Sequence, residues 1–181
     1  TSRRQRQMCI RDRSRDGKPN GFYYSEHRTV DSKRNVIVNV HVEAANINDV
    51  TPMPEILDEV ERRLGKLPKY MGLDAGYHNA WIAHLLETKG IQGVIGYRRH
   101  THKGAHYGKY RFRYDPVRDE YICPEKQRLT WKTTTREGYR QYCCEGKTCK
   151  GCPRRAECFG ASMNRKVVER HVWQDALELS L

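Results

Sequence analysis

The chain has 181 residues, 37% of them hydrophobic and 31% charged, with a formal net charge of +12. Such a length buries one sizeable core with a smaller appendage, and no apolar run approaches the ~20 residues that a membrane-spanning helix needs, which excludes a membrane partner of that kind. The charge is uneven: 5 basic residues against 1 acidic in Thr1–Arg13, 10 against 11 in Ser14–Gly96, 19 against 8 in Tyr97–Arg170, and 2 acidic residues alone in His171–Leu181. A balanced domain is therefore followed by a strongly basic one, and the basic stretch is the candidate partner of a polyanion.

Thr1–Arg13 has neither helical nor strand periodicity and resembles the translation of sequencing-adapter DNA, so residues 1–15 are set aside as a non-native or disordered arm. From Gly21 the texture is β-like. Gly21–Val30 is aromatic and β-branched, Asp31–Asn35 has turn composition, and Val36–Val42 alternates, with Val36, Val38, Val40 and Val42 on one face and Ile37, Asn39 and His41 on the other. This predicts an antiparallel pair. Thr51-Pro-Met-Pro54 opens a helix whose apolar stripe is Ile56, Leu57, Val60 and Leu64 and which ends at Gly65. Tyr70–Leu73 reads as a short buried strand and Asp74–Gly76 as the turn behind it. Asn79 caps a second helix that buries Ile82, Leu85 and Leu86 and closes at Gly90, and Ile91–Tyr97 is a further strand.

The order β-β-α-β-α-β predicts an α/β mixed sheet with helical crossovers on its faces, over residues 16–97. Beyond it the rhythm breaks. Residues 98–170 are polar, basic and cysteine-rich, and Tyr110-Arg-Phe-Arg-Tyr114 alternates ring and guanidinium as a strand with two unlike faces. The stretch reads as an inserted β-rich subdomain, with 171–181 as the start of a further region.

Asp74 falls where a strand's C-terminal end meets a glycine turn, the place where open α/β sheets carry ligand-binding residues and where a carboxylate can meet Mg²⁺. On spacing alone, an aspartate bonded to its own turn explains it as well. Six blocks taken in order change that weighting: Asp16-Gly-Lys-Pro-Asn-Gly-Phe-Tyr-Tyr24, His27-Arg-Thr-Val-Asp31, Asn46-Ile-Asn-Asp49, Gly72-Leu-Asp-Ala-Gly-Tyr77, Gly93-Val-Ile-Gly-Tyr-Arg-Arg99 and the Cys-Pro segments. Together they resemble bacterial insertion-sequence transposases of the DDE class, over Asp16 to Trp173. The resemblance implies a ribonuclease-H-like core in which three acidic residues hold two Mg²⁺ or Mn²⁺ ions that cut and join DNA. Asp74 matches the second acidic residue. The family's first Asp ordinarily precedes the Asp16 block and its Glu follows Trp173, so the resemblance implies a fragment, inactive alone. Asp31, in a turn, and Asp49, before a helix and suited to its N-terminal dipole, read as structural rather than as substitutes.

Six of the seven cysteines lie between Cys123 and Cys158, a clustering that suits metal ligation in a reducing compartment better than a secreted disulfide scaffold and predicts a cytoplasmic, nucleoid-associated protein. Cys149 and Cys152 present two thiolates on one turn, and Cys158 adds a third toward the four that structural Zn²⁺ accepts. Resemblance to the family's earlier Cys-Pro points to Cys123 as the fourth, with Cys143 and Cys144 as competitors. Arg98, Arg99, Lys103, Arg111, Arg113, Arg154 and Arg155 are the candidate phosphate contacts, with Tyr110, Phe112 and Tyr114 able either to stack on bases or to form the subdomain's core. The eight histidines read as hydrogen-bonded or exposed. The partners expected are DNA, at transposon ends and target, and a second copy of the chain. The competing reading is a non-catalytic, zinc-binding DNA-binding module or an inert fragment, which binds DNA in a salt-sensitive way without cleaving it.

Overall fold

The computed structural model of the protein describes residues 23–97 and 104–181. Of these, 23–97 and 179–181 make one compact unit and 104–178 another. No helix among the described residues is long and apolar enough to cross a membrane.

The first unit opens with β1 (Tyr24–Asp31) and β2 (Val36–Ala44), an antiparallel hairpin with its register shift at Thr29/Val30. Its turn forms as its composition requires. Asn35 adopts φ 54°, its N–H donates to Asp31 O at 2.7 Å, and Asp31 Oδ1 accepts from Lys33 N. Helix α1 (Met53–Leu64) follows, started by Pro52 and closed by Gly65 at φ 68°, whose N–H donates to Glu61 O. Met53, Ile56, Leu57 and Val60 are buried, whereas Leu64 is 49% exposed and lies outside the packed stripe. Next come β3 (Tyr70–Leu73), α2 (Ala80–Thr88) and β4 (Gln92–Ile95), a right-sized crossover that lays β4 parallel to β3. Asn79 caps α2 by accepting from Trp81 N at 2.8 Å, and Ile82, Ala83 and Leu86 are the buried face.

One strand expectation changes here. β3 is half exposed rather than buried, with Tyr70 73% exposed. On β2 the buried side chain is Asn39, while Val36, Val40 and Val42 are exposed, so the packed face is the polar one. The four strands form two separate pairs, β1 with β2 and β3 with β4. Both β1 and β3 line a cleft of about 1150 Å³ whose floor includes Met53, Ile56 and Val60 of α1. The unit closes with 179–181: Ile95 N–H donates to Ser180 O at 2.7 Å, and Gln92 Nε2 donates to Leu179 O.

The second unit is an antiparallel meander of five strands in sequence order: β5 (Arg113–Asp115), β6 (Glu120–Ile122), β7 (Arg128–Thr134), β8 (Tyr139–Cys143) and β9 (Val167–His171). Two short helices, α3 (Gly146–Lys150) and α4 (Arg155–Cys158), sit in the β8–β9 connection, and α5 (Gln174–Leu179) follows β9. Phe112, Tyr121, Leu129, Tyr142, Phe159 and Val168 form its core. Tyr110–Tyr114 is not one strand. Lys109–Arg111 is a 3₁₀ turn, which sends Phe112 and Tyr114 inward and leaves Tyr110 65% exposed.

Candidate functional site

Asp74 stands at the end of β3 as the cap of a 3₁₀ turn, Ala75–Tyr77, with extended backbone (φ −73°, ψ 173°). Its Oδ1 accepts from Gly76 N at 2.7 Å, the local bond expected of a turn aspartate, and the residue is exposed. Two glycines make the turn fit. A Cβ on Gly76 would lie 2.9 Å from Asp74 Oδ1, and one on Gly96 would lie 2.9 Å from Ala75 N and 3.2 Å from the Asp74 carbonyl carbon. Backbone can approach backbone here only without a side chain.

Asp49 joins Asp74. Its Oδ2 would be 3.8 Å from the same Cβ on Gly76, so two carboxylates flank one turn. Asp49 is not the helix cap: α1 has no side-chain cap, and the local bond before it, Val50 N to Oδ1, goes to Asn48. Beside them, His27 on β1 joins Tyr77 and Glu43. Its Nδ1 lies 2.7 Å from the Tyr77 hydroxyl and its Nε2 3.2 Å from Glu43 Oε1. The Tyr77 phenol is pushed up to about 12, first by burial and then by the negative charges of Asp49, Asp74 and Glu43. It stays protonated at neutral pH and offers a hydrogen bond rather than a charge. Asp31 lines the same cleft but is taken by its own turn and by Arg34.

Contacts such as His27 to Tyr77 span 50 residues, and sequence periodicity carries no sign of them. The available signal was the run Asn39, His41, Glu43 on alternate positions of a strand, a polar face too regular for a solvated edge.

In the second unit, Cys123 follows β6, Cys149 lies in α3, Cys152 behind it and Cys158 at the end of α4. Cys123, Cys149 and Cys158 pack with the same apolar cluster as Cys144, whose Sγ is 2.7 Å from Cys149 Sγ. Cys143 is buried outside that cluster. Of the two competitors for the fourth position, Cys144 is thus the near one. Cys123 Sγ accepts from Gln127 N at 3.3 Å, with Lys126 in the left-handed region to make the turn. Burial pushes the Cys144 thiol up to about 12, aided by the hydrogen bond and charge of Cys149. The Cys158 thiol rises to about 11 by burial, opposed by Lys166 and aided by Cys149, Cys123 and Cys152. Thiols so placed are neutral unless a cation draws them into the thiolate form. Beyond the Cys144–Cys149 pair, no three of the sulfurs lie within 4.8 Å of one another; the one such group of three metal-ligating atoms among the described residues is elsewhere.

Of the basic residues expected at phosphates, Arg98, Arg99 and Lys103 lie outside the described residues. Arg113 is exposed on β5, and Arg111 is exposed with its guanidinium 5.8 Å from the rings of both Tyr107 and Tyr110. Arg154 is committed inside the unit, pairing with Glu125 at 2.7 Å and with the Tyr107 hydroxyl. Arg155 is half-buried over the Phe159 ring and donates to Met163 O. Exposed Trp131, Lys132 and Arg136, on and just beyond β7, add a ring and two cations that sequence reasoning did not single out.

The model of the family described as Transposase DDE domain matches residues 15–169. No curated protein and no solved structure matches the chain.

Proposed function

The chain belongs to the Transposase DDE domain family, and from that membership we propose that its first unit is a ribonuclease-H-like nuclease core with Asp74 as a ligand of the catalytic Mg²⁺ or Mn²⁺. The observation that carries the reading is the placing of Asp74 at the end of β3, with Asp49 across the Gly76 turn, on a cleft bounded by strands of two different pairs. The strands around it are an antiparallel hairpin and a parallel pair, the two kinds of pairing that a mixed sheet combines.

The donor set suits the ions. Both carboxylates are hard oxygen ligands, and Asp74 keeps one oxygen beyond its turn bond for a cation. Bound there, a pair of divalent ions would activate water or a 3′-hydroxyl and stabilise the leaving oxygen at phosphorus. The protein's own part is positioning. Gly76 and Gly96 fix the turn, and Glu43 and His27 hold the neutral Tyr77 phenol beside the carboxylates.

The second unit, in this proposal, is a DNA-facing insertion braced by Zn²⁺ on Cys123, Cys149, Cys152 and Cys158. The packing of Cys123, Cys149 and Cys158 on one apolar cluster and a backbone N–H donated to Cys123 support that donor set. Arg111, Arg113 and Tyr110 are its exposed candidates for contact with phosphates and bases, whereas Arg154 and Arg155 serve its internal structure. The test is Mg²⁺- or Mn²⁺-dependent nicking of DNA by the protein. Nicking disappears in Asp74→Ala; activity retained in that variant would overturn the assignment.

A further inference from the structure

A second group of potential ligands lies on β2 and α1. His41 on β2 and Glu55 and Glu59, one turn apart on α1, bring an imidazole nitrogen and two carboxylate oxygens within 4.8 Å of one another. A tetrahedral shell with bonds near 2.1 Å needs separations of about 3.4 Å, so the two flexible glutamate side chains would have to close in on the ion. Among the described residues no Lys or Arg pairs with either glutamate, although Lys89 pairs with their neighbours Asp58 and Glu61.

Burial marks the same interface independently. Asn39 precedes His41 by two residues and shares its face of β2, the face turned to α1. It is 1% exposed, yet neither its amide nitrogen nor its oxygen has a hydrogen-bond partner. Glu59 Oε2 is likewise buried without a partner. Buried polar groups are normally satisfied, and their clustering beside a histidine and two carboxylates points to a missing centre.

We propose that His41, Glu55 and Glu59 form a binding site for a divalent transition-metal ion of the Zn²⁺ class, with Asn39 as its buried outer partner. An imidazole in the donor set selects such an ion over Mg²⁺ and Ca²⁺, which prefer oxygen alone. The ion ties α1 to the edge strand β2. The Asn39 amide bonds either the carboxylates oriented by the metal or a metal-bound water, the outer contact that metal sites use to fix their ligands. The site needs neither the nuclease chemistry nor the cysteines.

Co²⁺ titration of the full chain, followed by absorption, tests it, because thiolate sites give sulfur-to-metal charge transfer and a nitrogen–oxygen site does not. One Co²⁺ equivalent without that absorption is expected, competed by Zn²⁺. It weakens by at least about tenfold in His41→Ala and in Glu59→Gln and is unchanged in Asp74→Asn. Absence of such an equivalent, or its persistence in both weakened variants, overturns the proposal. Its loss in Asp74→Asn would also do so, by moving the ion to the Asp74 turn. Circular dichroism checks the fold, and if His41→Ala does not fold, the near-isosteric Glu59→Gln decides.

Discussion

Adding one methyl group at Gly96 tests whether the Asp74 turn is held by backbone packing. The new Cβ would meet Ala75 N at 2.9 Å, the Asp74 carbonyl carbon at 3.2 Å and Ala75 Cα at 3.4 Å, all main-chain atoms that cannot rotate away. Retreat of Gly96 is opposed by its own N–H, which donates to Leu73 O at 2.8 Å. The turn must therefore move by several tenths of an ångström or the bond must stretch, and overpacking of this kind costs about 1–3 kcal/mol. In a unit of this size each kcal/mol lowers the unfolding midpoint by roughly 4–8 °C. Gly72→Ala is the matched control. It lies two residues before Asp74, has no atom within 4 Å of its new Cβ and no left-handed backbone, and should leave stability unchanged or raise it by about 0.4–1 kcal/mol. Thermal unfolding by circular dichroism, with a Mn²⁺ titration of each variant, reads both effects. A Gly96→Ala chain as stable as the parent, or a Gly72→Ala chain equally weakened, would refute the reasoning.

Two further outcomes concern the second unit. Burial, with the bond from its hydroxyl to Asp119 Oδ1 at 2.6 Å, pushes the Tyr142 phenol up to about 12 from 10. A raised phenol favours the folded state fully below pH 10, and that contribution disappears as the pH climbs from 10 to about 12. Tyr142→Phe should cost about 1.5–3 kcal/mol at neutral pH, because the lost bond is to a charged group, and should flatten the loss of stability above pH 10; an alkaline limb of unchanged slope would count against it. For DNA, Arg111→Ala should weaken binding and reduce its salt dependence by about one phosphate contact, while Arg154→Ala should act on the unit's stability instead. Equal effects of the two on a salt titration of binding, at equal stability, would show that the intramolecular pairing of Arg154 is no guide to its role.

Much of the fold was legible where a local pattern had one physical solution. The Asp31–Asn35 turn, the Pro-started and Gly-closed α1, and the Asn79 cap each follow from residues within four positions of one another. The errors are of a different kind. Alternation on Val36–Val42 correctly made two faces but could not say which one packs, and the valines drew attention that belonged to Asn39, His41 and Glu43. The same limit hid the carboxylate pair, because Asp49 reads as a helix-dipole residue until the Gly76 turn, more than twenty residues later, is brought beside it. In the basic stretch, Tyr110–Tyr114 alternates like a strand, yet the 3₁₀ turn at Lys109–Arg111 withdraws two of its three rings into the core. Cysteine spacing named Cys149 and Cys152 readily. That Cys144 rather than Cys143 lies against Cys149 depends on a single step along the chain at the end of β8.

The charge distribution acquires a structural meaning from the way the chain is threaded. The near-neutral first unit does not end where the basic stretch begins: it takes back residues 179–181, and Ile95 N–H and Gln92 Nε2 donate to the backbone of Ser180 and Leu179. The basic unit is thus preceded and followed in sequence by residues of the first unit. Its own organisation agrees. Arg170 is buried, stacked 4.1 Å from the Tyr114 ring and paired with Asp175 and Glu178, so one of its cations is used internally to hold α5 against the meander. Arg154, though exposed, pairs with Glu125, and half-buried Arg155 lies over the Phe159 ring, so both are engaged within the unit. Formal charge therefore overstates what the second unit exposes, and the DNA binding proposed for it should follow the exposed cations such as Arg111, Arg113, Lys132 and Arg136 rather than the total.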